Sequence, residues 1–309
     1  MSIPITKIAL AGATGNLGPS ILQALLSASF QVTVLTRASN DRNPTTTTSS
    51  LPPTFRVIPV DYSSLPSLVS ALRGQDAVVS ALSSSALVSQ LLLIKAAAQA
   101  GVRRFIPSEF GSNTLHPRTA AFPAYRDKVA VQEALKQEAA REGGKGMTWT
   151  AIINGPFLDW GIEVGFVLDV KRRRAVLYDG GERVFSTTTL PTIGRAVVGV
   201  LRNLEQTENL AVFVHDTAVT LKGLYEMGRK ATPGEEWTDE VVSLEKDLED
   251  AWTEVRKEKP DPGKFVMKFI HAAIWGEDYG AYFEKTDNGL LGIKELSEEE
   301  LQAIVSRYA

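Results

Sequence analysis

Cysteine is absent from the 309 residues. That excludes disulfides, thiolate metal sites and cysteine nucleophiles, and it suits a reducing compartment. Histidine is scarce, and His116, His215 and His271 share no metal-ligand spacing, so no metal site is expected. Neither sign of charge dominates: 33 basic residues face 36 acidic ones, for a formal net charge of -3. Nucleic acid and anionic membrane surfaces are therefore not expected as partners. The one basic run, Lys171 to Arg174, is flanked by acidic residues and reads as a solvated face. No apolar run reaches the length of a membrane span, and the N-terminal MSIPITKIAL passes into a strand pattern without a charged leader and long apolar stretch. With 44% apolar and 22% charged residues, the expectation is a cytoplasmic, metal-free globular protein.

Glycine, by contrast, is placed with purpose near the N-terminus. Lys7 to Ser20, KIALAGATGNLGPS, reads as a buried strand over Ile8 to Ala11, a glycine turn and the start of a helix. Gly12, Gly15 and Gly18 give a GxxGxxG spacing. In a dinucleotide site the first turns the chain off the strand, the second lets backbone approach a pyrophosphate, and the third lets the helix pack closely. Free N–H groups at the helix start then face the phosphates, so Gly12, Ala13, Thr14, Gly15, Asn16, Leu17 and Gly18 are cofactor-binding candidates. A glycine turn that binds nothing has the same spacing. The strand before, the helix after and a second strand ending in a charged residue favour the cofactor.

That second strand is Gln31 to Thr36, with Arg37 at its carboxyl end. An acidic residue there would hold the ribose hydroxyls, whereas an arginine suits a 2′-phosphate, so NADPH is expected over NADH. The alternative is a solvated arginine. Ala38 to Thr54 is polar and proline-bearing, reads as a mobile loop, and offers Asn40 and Arg42 to the same phosphate. Further strands are expected at Arg56 to Asp61, Ala77 to Leu82, Arg103 to Phe110 and Thr148 to Phe157, with helices at Ser64 to Leu72, Leu87 to Ala100 and Pro123 to Glu142. The last helix stops at Gly143, Gly144 and Gly146. This alternation implies an α/β protein, a Rossmann-type doubly wound parallel sheet. Ala81 and Leu82, and Asn154, Pro156 and Phe157, fall at its carboxyl edge, where ligands bind. After Leu158 the alternation fails. A dinucleotide-binding domain over 1–156 is expected, with 183–216 returning to the sheet through a helix at Ile193 to Asn203 and a strand at Leu210 to His215. The remainder of 157–309 forms a smaller, discontinuous C-terminal substrate-binding lobe.

Three stretches together resemble the NmrA-like and isoflavone-reductase-like family of atypical short-chain reductases. GATGNLG (Gly12 to Gly18) looks like the family's cofactor loop, and RRFIPSEFG (Arg103 to Gly111) like its strand and loop beside the nicotinamide. KVAVQEAL (Lys128 to Leu135) looks like the helix carrying its catalytic lysine, which the resemblance places at Lys128, beside the cofactor. The helix departs from the plant enzymes, which have two arginines where Gln132 and Glu133 stand, and the C-terminal half matches loosely.

The chemistry can be weighed beside the resemblance. Hydride transfer to a carbonyl or activated double bond needs a proton or cation beside the developing negative charge. There is no YxxxK pair to supply it, since Tyr125 and Lys128 are three apart. Lys128 remains as general acid or base; read alone, it would be a surface lysine on an amphipathic helix. Glu109 reads as orienting substrate or capping backbone N–H groups in the SEFGSN turn. Gln90 is a further cofactor candidate by resemblance. Trp160, Phe166, Tyr178, Trp275, Tyr279 and Tyr282 are candidates for an aromatic-accepting pocket, or for core.

The function expected is an NADPH-dependent reductase of a small aromatic secondary metabolite, as monomer or homodimer. The alternatives are a dinucleotide-sensing regulator without catalysis, and a quinone reductase of the same fold.

Overall fold

The computed structural model describes residues 3–38, 55–141 and 146–309. Most of the loop after Arg37, with Asn40 and Arg42, and the glycines Gly143 and Gly144 lie outside the described residues. The strands in chain order are β1 (Lys7–Ala11), β2 (Gln31–Arg37), β3 (Phe55–Val60), β4 (Ala77–Ser80), β5 (Arg104–Ile106), β6 (Thr148–Ile153), β7 (Arg174–Tyr178), β8 (Phe185–Thr187), β9 (Leu210–Phe213), β10 (Thr217–Val219) and β11 (Thr238–Val242). Seven of them form one sheet in the order β3-β2-β1-β4-β5-β6-β9, with every pairing parallel.

The central strands are apolar because helices cover both faces of the sheet. Ile8, Ala9, Leu10 and Ala11 are fully buried. On one face, Ile21 and Leu25 of α1 (Gly18–Ser27) pack with Ile193 and Val197 of the helix Leu190–Arg202. On the other lie α2 (Leu65–Leu72), α3 (Ser89–Gln99) and, beyond the short α4 (Pro117–Ala120), α5 (Arg126–Ala139). Their contributions include Leu68, Leu93 and Leu135. The segment returning late in the chain divides. Its strand β9 pairs with β6 in the large sheet, while β8 pairs antiparallel with β10 outside it.

Several elements end sooner than the sequence suggests. The strand expected to reach Phe110 stops at Ile106, and the one expected to reach Phe157 stops at Ile153. Pro107 lacks the N–H that would continue its ladder, and Gly155, at φ +66°, turns the chain after β6 before Pro156 is reached. The helix expected from Pro123 begins as a 3₁₀ turn, Pro123–Tyr125, before α5, and a second 3₁₀ turn, Ser84–Ala86, precedes α3. These departures supply the loops at the carboxyl edge.

The remaining chain packs around a second core that it shares with Phe122 and Tyr125, where Tyr178 stacks on Trp275 at 4.8 Å and Phe122 packs against Phe269 and Tyr279. Tyr178, Trp275 and Tyr279, expected as pocket candidates, are therefore core residues, and Tyr282 is exposed. The basic run is a surface feature: Arg172, Arg173 and Arg174 pair with Asp169, Glu235 and Glu240. No helix among the described residues is long and apolar enough to cross a membrane.

The three N-terminal glycines are not equivalent. Gly12 has φ +84°, and a Cβ there would collide with the backbone of Ala81 and Leu82 at the end of β4. At Gly18 it would collide with Gly12 O and Ala13 C. At Gly15 the nearest atom would be 3.5 Å away, an ordinary contact. Gly12→Ala and Gly18→Ala should each cost roughly 2–4 kcal/mol in urea unfolding through strain and overpacking. Gly15→Ala should stay within about 0.5 kcal/mol of wild type.

The lobe also carries a pH dependence. His271 Nδ1 lies 2.8 Å from the Tyr178 hydroxyl, and burial lowers its pKa to about 4, with the more distant Asp247 opposing. A group whose folded pKa lies below its unfolded value of 6.5 takes up protons preferentially when unfolded, so stability falls as pH drops from about 6.5 towards 4. Wild type should lose on the order of 2 kcal/mol more than His271→Gln between pH 7 and pH 5, measured by urea unfolding at both.

Candidate active site

Strand order reverses between β1 and β4, and the crevice this opens at the carboxyl edge carries one of two neighbouring cavities. The first, about 550 Å³, is lined by Gly12, Ala13, Thr14, Gly15, Arg37, Ala81 and Leu82 of the expected residues. Tyr62, Ser83, Ser85 and Ser89 join them without having been signalled by any motif. The start of α1 has no side-chain cap, and Thr14, Gly15 and Asn16 are exposed beside it. The partial positive charge of the helix N-terminus suits an anion, while Pro19 has no N–H to offer and the Gly15 and Ser20 N–H groups bond to Gly12 O and Leu17 O. Arg37 closes the far wall as the last residue of β2. Burial raises the Tyr62 hydroxyl to about 12 while the charge of Arg37 pulls it down, so this guanidinium lies close to the tyrosine. Asn16 is exposed but outside the cavity lining, and Leu17 and Gly18 are buried beneath the turn.

The second cavity, about 700 Å³, lies across the segment Ser83–Leu87, which contributes walls to both. The sheet domain supplies Phe110, Gly111, Ser112, Tyr125, Lys128, Pro156 and Phe157, and beyond the sheet come Trp160, Phe166, Phe265, Ile270 and Ile274. Of the six aromatic candidates, Trp160 and Phe166 alone reach this lining.

Lys128 stands in the first turn of α5 with its side chain 15% exposed. Its Nζ donates to the Glu109 carbonyl and lies 4.0 Å from Glu109 Oε2. Burial lowers the lysine's pKa, and the Glu109 carboxylate works against that shift. Glu109 is itself 1% exposed. Its Oε2 accepts from Thr114 Oγ1 at 2.7 Å and its Oε1 from Gln132 Nε2 at 2.9 Å, and Gln132 also donates to Thr114. The expected capping of backbone N–H groups by Glu109 is thus replaced by side-chain bonds, because the loop folds its carboxylate inward towards α5. Gln132, at one of the positions that depart from the plant pattern, is one turn beyond Lys128 and fills that inner position. This i, i+4 spacing was the available signal for it; Thr114 had none.

Two expected residues are outside both cavity linings. Asn154 is fully buried: its backbone N–H donates to Gly111 O, its carbonyl accepts from Thr188 Oγ1 and its Nδ2 donates to Gly155 O, while its Oδ1 has no partner among the described residues. Gln90 is 1% exposed and accepts from the Ser108 N–H, tying α3 to the loop after β5. Burial there raises Tyr125 above the usual phenol range, and its hydroxyl donates to Ser112 Oγ at 2.8 Å.

The model of the NmrA-like family matches residues 4–143. Oxidoreductase poxI of Penicillium oxalicum is 32% identical over 97% of this chain and 93% of its own length. An isoflavone reductase homologue of Solanum tuberosum is 35% identical over 43% of this chain and 45% of its own. Among solved structures, AtPrR2 with NADP+ and (+)-pinoresinol shares the fold with a TM-score of 0.69 at 22% identity, covering 100% of both chains. The match to poxI along nearly the whole chain, together with the family model over the glycine loop and the lysine helix, carries the assignment that the three motifs implied: the chain belongs to the NmrA-like and isoflavone-reductase-like family.

Proposed function

We propose that the protein is an NADPH-dependent reductase that delivers hydride to a carbonyl or activated double bond of a small aromatic metabolite, with Lys128 as the proton-handling residue. The observation carrying this is the pairing of an anion-accepting cleft with an apolar cavity that contains a buried lysine, the two sharing the wall Ser83–Leu87. A dinucleotide is long enough to use both. The residues fit NADPH: Gly15 is exposed and has no side chain to keep a pyrophosphate from its backbone, the start of α1 is uncapped, and Arg37 suits the 2′-phosphate. The name of poxI and the NADP+ in the AtPrR2 structure support the same reading.

When bound, NADPH supplies the hydride. The chain does the rest. The apolar walls exclude water and strengthen each remaining electrostatic contact. Lys128 is a proton donor whose acidity burial increases and Glu109 restrains, placing a cationic acid beside the oxygen or carbon on which negative charge develops. The buried lysine in a largely apolar cavity favours a reductase over a dinucleotide-sensing regulator, which needs no such group.

Lys128→Ala should lower kcat by about 10²–10⁴-fold while NADPH affinity changes little; turnover near wild type would show that the proton comes from elsewhere. In fluorescence titrations with NADPH and NADH, Arg37→Ala should weaken NADPH binding roughly tenfold to hundredfold and erase its advantage over NADH. Gly15→Ala should weaken binding of both cofactors without unfolding the protein, and unchanged affinity would remove the pyrophosphate from this turn.

A further inference from the structure

The cavity around Lys128 contains a second polar point. Ser112 and Tyr125 both line it, and Tyr125 donates its hydroxyl proton to Ser112 Oγ at 2.8 Å. A serine hydroxyl that accepts one proton still has its own to give. Among the described residues no acceptor takes it, although Ser112 is only 8% exposed. Lys128 is close by along the same loop, since a Cβ built on Gly111, the residue before Ser112, would lie 3.6 Å from Lys128 Nζ. The same lining also holds Ser84, Arg126 and Asp127; of its other residues, Phe110, Pro156, Phe157 and Ile274 offer a ligand oxygen no side-chain hydrogen bond, and Trp160 offers its indole N–H.

We infer that Ser112 is the anchor for the substrate's acceptor oxygen, donating to it from the side of the cavity next to Lys128, and that Tyr125 is a positioning residue acting through Ser112. Tyr125 fixes the hydroxyl rotor: with one lone pair occupied by the phenol, the serine proton is directed away from the tyrosine. The phenol stays protonated in its buried setting, so its role is to donate, not to act as an acid. The substrate class follows. It is an aromatic compound with a carbonyl oxygen next to the ring, accepting from Ser112 and Lys128. The inference rests on the reductase reading and deepens it, because a substrate held only by apolar walls would be placed loosely for hydride transfer.

The test uses the full chain saturated with NADP+, which cannot give hydride, and two probes of nearly equal shape: 1-tetralone and 1-methylenetetralin, which has a carbon in place of the carbonyl oxygen. Titration calorimetry should show wild type binding the ketone about tenfold more tightly than the alkene. Ser112→Ala should erase that preference and leave alkene affinity unchanged, a result that loss of folding would not produce. Because Ser112→Ala leaves the Tyr125 hydroxyl unpaired, Ser112→Ala/Tyr125→Phe serves as a second variant and should give the same result. Tyr125→Phe alone should shrink the preference without removing it. A preference that persists in both serine variants, or equal binding of the probes by wild type, would overturn the anchor while leaving the apolar cavity in place. Failure of wild type to bind either probe, with NADP+ bound, would instead overturn the aromatic-substrate reading on which the anchor depends.

Discussion

The close approach of Gly12 to the backbone of Ala81 and Leu82 fixes the geometry on which the rest depends. β1 and β4 are neighbours in the sheet, and the Ala81 N–H bonds to Ala11 O at 2.8 Å, so the two chains leave the sheet side by side. A side chain at Gly12 would push them apart. With it absent, the turn to α1 folds tightly enough for Gly18 to sit against Gly12 O, and the helix start then points into the crevice between the diverging loops. The same packing that requires two glycines for structural reasons leaves Gly15 free at the mouth. Stability and ligand access are thus assigned to different residues of one short motif.

A second constraint acts at Lys128. An isolated lysine in an apolar cavity would lose its proton, and one fully paired with a carboxylate would hold it too firmly to give up. The arrangement found lies between these limits. The Glu109 carboxylate is 4.0 Å from Nζ, while its oxygens are occupied by Thr114 and Gln132 at shorter range. Those two partners drain the acceptor capacity that would otherwise close on the lysine, and they hold the carboxylate in place. The lobe contributes by desolvation: Phe265, Ile270 and Ile274 cover the cavity from above the sheet edge, so closing the aromatic core of the lobe also sets the environment of the lysine.

The sheet was legible because its signals are local. The apolar strands, the glycine turn and Arg37 at the end of β2 each announce themselves within a few residues, and the parallel order follows from the strand–helix alternation. Less legible were the strand ends, where Pro107 and the turn at Gly155 end the ladder before the apolar pattern stops. Lys128 needed the resemblance to the family, since an amphipathic helix displays lysines for many reasons. Its partners depend on tertiary folding: Glu109, Thr114 and Gln132 are brought together from a loop and a helix by the turn around Phe110. Tyr178 and Trp275 show the opposite limit, because an aromatic residue reads the same whether it lines a pocket or stacks in a core.

A crystal structure of the protein with NADPH tests the central claim most directly, since everything turns on one ligand using both cavities. The account predicts the pyrophosphate against Gly15 and the start of α1, the 2′-phosphate beside Arg37, and the nicotinamide across Ser83–Leu87 in the cavity of Phe157 and Lys128. A cofactor bound elsewhere, or one whose nicotinamide stays outside the Lys128 cavity, would contradict it.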